Sequence, residues 1–310
     1  MNSGLIKPRP VAGIGPPLLP AEGRRVLVIH NPVAGWRRRS RLAAVLAELH
    51  RHGAEVEVRE TRARGDAQAI ASAIAPGRYD VVAVAGGDGT VNEAANGLGP
   101  GAPPLAVIPL GTANVLAHEI GLGTAPARVA LTIARAQPAV VWPGVVNGRR
   151  FLLMAGAGYD AHVVAAVGPA LKRRLGKGAY VWQTLALLRR FRFRPYVIDI
   201  DGIQTQAYSL IVARGRLYGG RHLCAPRAGL ERPSFEACLF RRGGRLAVLR
   251  YGLALVTGRL PRHPDVEIVS ACRVEVAGMP GEPVQGDGDV IARLPARFSI
   301  ADRPLWLLHP

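Results

Sequence analysis

A glycine-rich loop in the first third of the chain has the composition of a phosphate-binding site. The sequence GGDGT at 86–90 directly follows the apolar run VVAVA at 81–85 and directly precedes a helical pattern that opens at Val91. In an open α/β sheet, ligands lie at the carboxyl ends of the strands, and glycines there let backbone N–H groups approach a phosphate closely. The loop is neither GxxxxGK[ST] nor GxGxxG. Taken alone, it is equally typical of a tight turn in which Thr90 caps the helix.

Three further loops favour the phosphate site. Each of them follows a strand pattern: NPVAG at 31–35, TRARGDA at 61–67 and PLGTAN at 109–114. Because parallel strands end at the same edge of a sheet, all four loops are expected to line one edge.

The elements that must position these loops alternate between strand and helix. Asp66 and Thr112 are residue types that cap helices, and Thr124 is expected to cap a further helix with Pro126 in its first turn. Strands that alternate with helices pair in parallel under helices on both faces, so the pattern predicts a doubly wound α/β domain. The predicted strands cover 25–30, 54–59, 79–85 and 104–109, and the predicted helices cover 38–51, 66–75, 91–98 and 113–120.

The second half of the chain has the pattern of an antiparallel β-domain. Its β-rich runs are separated by Gly, Pro and other turn residues, which is typical of a sandwich or barrel. Two helical runs interrupt it, at about 178–191 and 245–257. The predicted strands cover 197–202, 207–213, 235–240, 266–271 and 272–277.

The alternation of strands and helices gives way to β-rich runs between Val141 and Asn147, and we place the domain boundary there. Residues 1–22 are predicted to be a flexible tail, because prolines break up their apolar stretch. An α/β domain is predicted at 23–143. A β-rich domain is predicted at 144–310, with its last residues returning to the first domain.

Seven motifs resemble, in the same order, those of the bacterial lipid kinases of the diacylglycerol kinase and sphingosine kinase superfamily, which share an NAD-kinase-like fold. The resemblance extends from about Arg24 to RPLWLLHP at 303–310. GGDGT alone is shared with phosphofructokinases and NAD kinases, whereas GGDGTVNE together with the late PVQGDG is more specific. The matching segments are NPVAG (31–35), TRARGDA (61–67), GGDGTVNEAANGL (86–98), PLGTANVLA (109–117), GAGYDA (156–161), LYGGRHLCAP (217–226) and EPVQGDGD (282–289).

The resemblance implies an ATP-dependent kinase with a nucleotide cleft between a catalytic and a substrate domain. ATP would place its phosphates on the loop at 86–90. Asn92 and Glu93 are equally expected to cap or pair in the first turn of the following helix. The nucleotide-binding residues that it implies are Asn31, Thr61, Gly86, Gly87, Asp88, Gly89, Thr90, Asn92, Glu93, Gly111 and Thr112.

The resemblance also implies a catalytic carboxylate in the GDGD motif, which faces the γ-phosphate and activates the lipid hydroxyl. That position is Asp287, and Asp289 stands where the family usually has Glu. Phosphoryl transfer needs positioning, charge neutralisation and one base near the acceptor hydroxyl, and Asp88 is the acid of the phosphate loop itself. In an extended segment Asp289 would point to the same face as Asp287 and replace it. An ordinary Asp-Gly hairpin turn is the alternative for this motif.

Two departures from the family concern metal binding. Asn114 is followed by Val115 where many relatives have Asp, and the segment after APRA at 225–228 lacks the Asp-Asp-Gly at which some relatives bind a structural Mg²⁺. That structural metal is therefore not expected. Catalytic Mg²⁺ is expected, because the charge of a triphosphate must be neutralised. Asp88 and Asp160 are the acids that could reach it through water.

The composition is that of a folded protein with a strong positive charge. Of 310 residues, 49% are hydrophobic and 20% charged, and the formal net charge is +18. No apolar run approaches the ~20 residues that a spanning helix needs. Three scattered cysteines without metal-ligand spacing fit a reducing cytosol.

The positive charge is densest between Ala161 and Ile198, which hold eight cations and no acid. This predicts an anionic partner for the basic 172–194 segment. Within it, four apolar residues at helical spacing predict a stripe that faces the core, and the arginines beside it also suit an anionic membrane surface. The stripe comprises Trp182, Leu185, Leu188 and Phe191.

Three classes of protein fit these features. The first is an ATP-dependent lipid kinase of the cytoplasm that associates peripherally with membranes, the second a kinase of a soluble alcohol or dinucleotide, and the third a non-catalytic nucleotide or nucleic-acid binder. VNE after GGDGT and the late GDGD favour the first over the second, and a phosphate site with a candidate base disfavours the third. Diacylglycerol, sphingoid bases and ceramide all offer a hydroxyl, so the sequence leaves the lipid and the oligomeric state open.

Overall fold

The computed structural model describes residues 16–33, 39–167 and 177–310. Its α-helices are α1 (Arg39–Arg51), α2 (Asp66–Ser72), α3 (Asp88–Gly97), α4 (Val115–Glu119), α5 (Pro126–Arg135), α6 (Tyr159–Ala166), α7 (Lys177–Leu187) and α8 (Arg245–Val256), and a short 3-10 helix covers Leu260–Arg262. Its strands are β1 (Arg25–His30), β2 (Glu55–Glu60), β3 (Val81–Gly86), β4 (Leu105–Pro109), β5 (Pro138–Val141), β6 (Gly144–Val146), β7 (Arg149–Phe151), β8 (Met154–Gly158), β9 (Tyr196–Ile200), β10 (Ile203–Ala207), β11 (Ser209–Ala213), β12 (Leu217–Tyr218), β13 (His222–Leu223), β14 (Phe235–Phe240), β15 (Val266–Ala271), β16 (Arg273–Ala277), β17 (Pro283–Gly286), β18 (Asp289–Arg293), β19 (Ala296–Ile300) and β20 (Leu305–Leu308).

The first sheet contains the four predicted parallel strands, in the order β2-β1-β3-β4. Its two central strands are continuous apolar runs, and residues 26–29 and 81–85 have no exposed surface. Strands of this kind are covered on both faces of a parallel sheet. Helix α1 contacts α5, and α2 contacts α3. The predicted doubly wound α/β domain is confirmed.

The second domain is built from two antiparallel sheets. Their strand orders are β10-β9-β16-β19-β6-β7 and β15-β14-β11-β8-β17-β18. One core cluster draws apolar residues from both sheets, among them Phe151, Phe235 and Phe298. The rings of Phe151 and Phe298 meet edge to face at 6.4 Å between centroids. The predicted antiparallel sandwich is confirmed.

The two domains share the first sheet. Strand β20, at the end of the chain, pairs in parallel with β4 and antiparallel with β5. The chain passes into the second domain between β5 and β6, and we propose the division there, at residues 143 and 144. Every helix in the described ranges falls short of the length and apolarity that a bilayer span requires.

Two helices begin elsewhere than predicted. Helix α3 starts at Asp88 rather than Val91, with Gly87 in extended conformation at its cap, so the glycine loop is itself the first turn of the helix. Helix α4 is capped by Asn114 in the left-handed region (φ 47°) rather than by Thr112. Asparagine tolerates that conformation better than most residues. Thr112 was predicted as the cap because of its side chain, whereas the backbone conformation of Asn114 decides where this helix begins.

Two further elements differ from the prediction. Helix α5 begins at Pro126 after Ala125, so Thr124 is not its cap. Helix α6 was not predicted, because the GAGYDA run at 156–161 was interpreted only as a motif.

The predicted core-facing stripe near α7 is wrong for its first two members. Trp182 and Leu185 are 63% and 51% exposed, whereas Leu188 is buried and Phe191 half-buried. Helix α7 ends at Leu187, so Trp182 and Leu185 lie on the helix, whereas Leu188 and Phe191 belong to the segment that follows it. Of the basic segment at 172–194, residues 172–176 lie outside the described ranges.

Candidate active site

The glycine loop lies at the end of the central strand β3 and forms the N-terminus of α3. It is held against the loop that follows β4, since the N–H groups of Leu110 and Gly111 both donate to the carbonyl of Gly86 at 3.0 Å. A Cβ on Gly111 would lie only 2.5 Å from the Cα of Gly87. The two loops therefore meet backbone to backbone, and the helix N-terminus at the first turn of α3 suits an anion.

The loop that follows β1 is tied to the same site. The Asn31 side-chain amide donates to the hydroxyl of Thr90 at 3.0 Å, and the Asn31 N–H donates to the carbonyl of Ala85 at 2.9 Å. Thr61 is buried, and its N–H donates to the carbonyl of His30 at 2.8 Å. Thr112 is exposed in the loop after β4. The structure thus collects the loops at the carboxyl ends of β1 to β4 along one edge.

Glu93 links the loop at 61–67 to α3. Its Oε2 accepts the N–H of Gly65 at 3.0 Å. Asp66 closes the same loop by accepting the N–H groups of Arg62 and Ala63 at 2.7 and 3.0 Å. Burial raises the pKa of the Glu93 carboxyl, and the charge of Asp289 adds to this increase. Glu93 therefore pairs across elements and lies close to an acid of the second domain.

Asp289 brings the second domain onto the phosphate loop. It is the first residue of β18, and its Oδ2 occupies the space beside Gly89, where a Cβ would come within 2.8 Å of that oxygen. A side chain at position 89 would therefore displace the Asp289 carboxylate from the loop. The Asp289 side chain is half-buried at the junction of the two domains.

Asp287 has different surroundings from Asp289. Its carboxylate accepts the N–H groups of Leu152 (2.7 Å), Leu153 (2.9 Å) and Met154 (3.0 Å) and the side-chain amide of Asn92 (2.6 Å). Removal from water raises the pKa of Asp287 to about 6, although the four hydrogen bonds favour the charged form. A carboxylate has about four lone pairs in its plane, and these four donors occupy all of them. This carboxylate therefore joins α3 to the segment before β8.

Asn92 is the partner of Asp287 on α3, and it is buried. Its amide also donates to the carbonyl of Arg150 at 3.1 Å, and the neighbouring Asn96 accepts the N–H of Arg150 at 2.9 Å. These bonds fasten the helix of the phosphate loop to β7. Asn96 and Arg150 were not identified from the sequence, because neither lies in a pattern that predicts pairing between domains.

Asp88 and Asp287 border the same narrow cleft. The Oδ1 atom of Asp88 accepts the N–H of Leu116 in the first turn of α4 at 3.1 Å. The cleft is lined by Asp88, Val91, Leu116, Leu152, Leu153 and Asp287. Its lining comes from both domains and is mostly buried and apolar, so it is a packed contact between the domains rather than space for a nucleotide.

Asp160 lies in the first turn of α6, and its hydrogen-bond partners belong to the second domain. Its Oδ1 accepts the hydroxyl of Tyr218, and Gln285 also bonds to the carboxyl. The Oδ2 atom is buried without a hydrogen-bond partner. Burial raises the pKa of Asp160. Tyr218 and Gln285 were not singled out from the sequence, although both lie within its motifs.

The acids around the phosphate loop at 86–90 are the side chains that could hold a divalent cation. Within the described ranges, no group of three or more metal-ligating side chains is assembled. Mg²⁺ commonly binds through one or two carboxylates, with water and substrate phosphates completing its shell. Asp88 in the phosphate loop fits that donor set. Arg41 borders the same edge and donates to the carbonyl of Pro109 at 3.4 Å.

An α/β domain with a glycine loop at the end of its central strand, joined to a sandwich that places an acid on that loop, defines a two-domain kinase of the NAD-kinase-like class. The model of the diacylglycerol kinase catalytic domain matches residues 25–144, and that of the YegS C-terminal NAD kinase beta sandwich-like domain matches residues 154–309. The chain belongs to the diacylglycerol kinase family that these two domains define. It is a lipid kinase, as its motifs predicted.

Relatives and solved structures agree over nearly the whole chain. The diacylglycerol kinase of Bacillus subtilis (strain 168) is 28% identical over 93% of this chain and 97% of its own length. That of Staphylococcus carnosus (strain TM300) is 28% identical over 89% of this chain and 92% of its own. The crystal structure of a diacylglycerol kinase from Bacillus anthracis strain Sterne superposes with a TM-score of 0.71 at 24% identity, covering 93% of this chain and 97% of that one. The structural likeness shows a shared fold.

Proposed function

We propose that this protein transfers the γ-phosphoryl group of ATP to the hydroxyl of diacylglycerol at the surface of an anionic membrane. The observation that carries the proposal is the position of Asp289, an acid of the second domain that lies against Gly89 of the phosphate loop. A carboxylate at that place can serve an acceptor hydroxyl that approaches a phosphate bound to the loop. The curated relatives that match this chain are named diacylglycerol kinase.

The nucleotide site follows from the loops at the edge of the first sheet. The N–H groups of the first turn of α3 would receive the phosphates. Asn31, Thr61, Gly111 and Thr112 would complete the site, and Asn92 and Glu93 would hold α3 in place. Asp88 would hold Mg²⁺ together with water and the substrate phosphates, and the ion supplies charge neutralisation on the phosphates when it is bound. Asp160 would contribute to the second-domain wall of the site, because its hydrogen-bond partners Tyr218 and Gln285 belong to that domain.

Asp289, rather than Asp287, is the better candidate for the base. The carboxylate of Asp287 already accepts four N–H groups, so its in-plane lone pairs face protein donors rather than a substrate hydroxyl. In the proposed step, Asp289 takes the proton of the acceptor hydroxyl while the hydroxyl oxygen bonds to the γ-phosphorus. The bond from that phosphorus to the β,γ-bridging oxygen breaks, and ADP leaves.

The proposal places the enzyme in the cytoplasm, on the inner surface of a membrane. The three cysteines are free, which agrees with a reducing compartment. The exposed arginines at 189 and 190, after α7, provide positive charge for anionic lipids.

The test is a phosphorylation assay with γ-labelled ATP and a panel of acceptors in mixed micelles. The panel contains diacylglycerol, sphingosine, ceramide, glycerol and NAD. Labelled phosphatidic acid as the main product, absent for Asp289→Asn, is the expected result. Phosphorylation of NAD or glycerol in preference to the lipids would show that the acceptor is a soluble alcohol and not a lipid. Labelling of no acceptor by the folded protein would refute the proposed function.

A further inference from the structure

Helix α8 exposes a stripe of large apolar side chains that the proposed catalytic site does not use. At 100° per residue, the four positions fall within an arc of about 80°. The opposite face carries Tyr251 and Ala254, which are buried and hold the helix to its domain. The exposed fractions are 61% for Leu246, 48% for Leu249, 67% for Leu253 and 68% for Val256. Four such side chains on one face are a contiguous patch of the kind that marks an interaction site.

Positive charge borders this stripe on both sides. By the same helical geometry, Arg245 and Arg250 fall at the two edges of the arc. The chain from 237 to 264 contains six arginines and neither Asp nor Glu. An apolar stripe with an arginine at each edge matches the interfacial region of an anionic bilayer, where acyl chains lie beneath phosphate groups.

Helix α7 extends the same kind of surface. Arg245 donates to the carbonyl of Arg189, just after α7, at 3.1 Å. Val248 packs against the small cluster that contains Leu188, so the end of α7 and the start of α8 are neighbours. Trp182 on α7 is 63% exposed. Tryptophan is enriched where an apolar and a wet environment meet.

We infer that α8 is a membrane-insertion element: its stripe enters the acyl region of an anionic bilayer, with Arg245 and Arg250 at the level of the phosphate groups. The inference rests on the proposed function, which requires the enzyme to meet a substrate that resides in the bilayer. The chemistry of the surface selects this occupant, because the charge of the whole chain is +18 and the charged residues at the rim of the stripe are both arginines.

The test is sedimentation of the full chain with vesicles, without nucleotide. Vesicles of phosphatidylcholine with phosphatidylglycerol are compared with vesicles of phosphatidylcholine alone. The double variant Leu249→Gln/Leu253→Gln is expected to bind the anionic vesicles about tenfold or more weakly than the parent. Leu131→Gln is the matched control, because Leu131 is a 49% exposed leucine on α5 in the first domain, and it is expected to bind like the parent. Arg245→Gln/Arg250→Gln is expected to reduce the preference for anionic vesicles.

Two measurements separate this inference from its alternatives. Activity on a short-chain diacylglycerol dispersed as monomers is expected to be equal in the parent and the leucine variant, and its absence in the parent would refute the proposed function without touching the binding result. Sedimentation velocity reports self-association. If the leucine variant binds anionic vesicles like the parent, or if its only effect is to convert a dimer to a monomer, α8 does not insert into membranes.

Discussion

Asp287 and Asp289 are separated by one glycine and have different surroundings. Asp287 has a φ of 51° and Gly288 a φ of 84°, so these two residues form the turn that joins β17 to β18. Positive φ values at both positions are typical of an Asp-Gly hairpin turn. The turn directs Asp287 to the N–H groups before β8 and Asp289 to the phosphate loop.

We predict different defects for the two asparagine variants. Asp289→Asn is expected to lower kcat by ~10²–10⁴ while the affinity for ATP and the Tm stay close to those of the parent, because a carboxamide cannot accept the proton. Asp287→Asn is expected to lower the Tm, because an amide group would face N–H donors. Steady-state kinetics, nucleotide binding and thermal unfolding of both variants check this. A near-parental rate for Asp289→Asn together with a large loss of rate in folded Asp287→Asn would assign the base to Asp287.

Because the pKa of Asp287 is raised, we predict that its contribution to the free energy of unfolding falls as the pH rises. Removal from water raises its folded-state pKa from the ordinary 3.8 to about 6, so the folded protein binds the proton more tightly than the unfolded chain does. The resulting stabilisation is complete below pH ~4 and is lost as the pH rises through ~6, on the order of 3 kcal/mol in total. The measurement is the difference in the free energy of unfolding between the parent and Asp287→Asn from pH 4 to pH 7. This difference is expected to fall with rising pH, and a rise would contradict the argument.

At the scale of elements, close approaches of backbone determine where the phosphate loop lies. Gly87 and Gly111 come from loops after β3 and β4. A Cβ on Gly111 would lie 2.5 Å from the Cα of Gly87, whereas a Cβ on Gly87 would make an ordinary contact of 3.4 Å with the Cα of Gly111. On the other side of α3, a Cβ on Gly97 would lie 2.2 Å from the carbonyl oxygen of Gln68 in α2. Glycine therefore sets the position of α3 at both of its ends.

We predict that Gly111→Ala separates the two loops and impairs nucleotide binding. The added methyl group would meet the Cα of Gly87 at 2.5 Å, and the backbone there has no side chain that could move aside. The KM for ATP is expected to rise about tenfold or more, with a loss of stability of about 1–3 kcal/mol. Gly99→Ala is the control, because nothing lies within 4 Å of its Cβ position. Equal KM values for ATP in both variants would show that the loops tolerate separation.

At the scale of the whole molecule, the last strand makes the two domains interdependent. Strand β20 lies between β4 and β5, so the chain crosses to the second domain and returns to complete the first sheet. Leu305, Leu307 and Leu308 are buried there. The site between the domains is thereby held from two sides, by β20 and by the bonds of Asp287 to Asn92.

A chain that ends at Asp302 is expected to lose the cooperative unfolding of the first domain. Burial of three leucines contributes about 5 kcal/mol or more, which is comparable to the whole stability of many domains. A chain that ends at Leu308 is the control, since it lacks only His309 and Pro310. Thermal unfolding and ATP binding of the two chains are compared. Retention of both properties by the chain that ends at Asp302 would show that β20 is dispensable.

The sequence by itself determined the α/β pattern, the antiparallel second domain, the phosphate loop and the family. These features depend on short-range periods and on glycines next to strand ends, which a chain displays wherever it lies in space. The helix at 245–257 was also predicted, but not which of its faces is exposed, because apolar residues surround it on nearly all sides.

Only the tertiary structure decided which acid of GDGD faces the phosphate loop. Alternation along an extended segment would put Asp287 and Asp289 on one face, but the left-handed turn at 287–288 separates them. The same limit applies to the bonds from Asp287 to Asn92, which span 195 residues of sequence. Such contacts arise when two domains pack, and no local pattern records which donor will meet which acceptor.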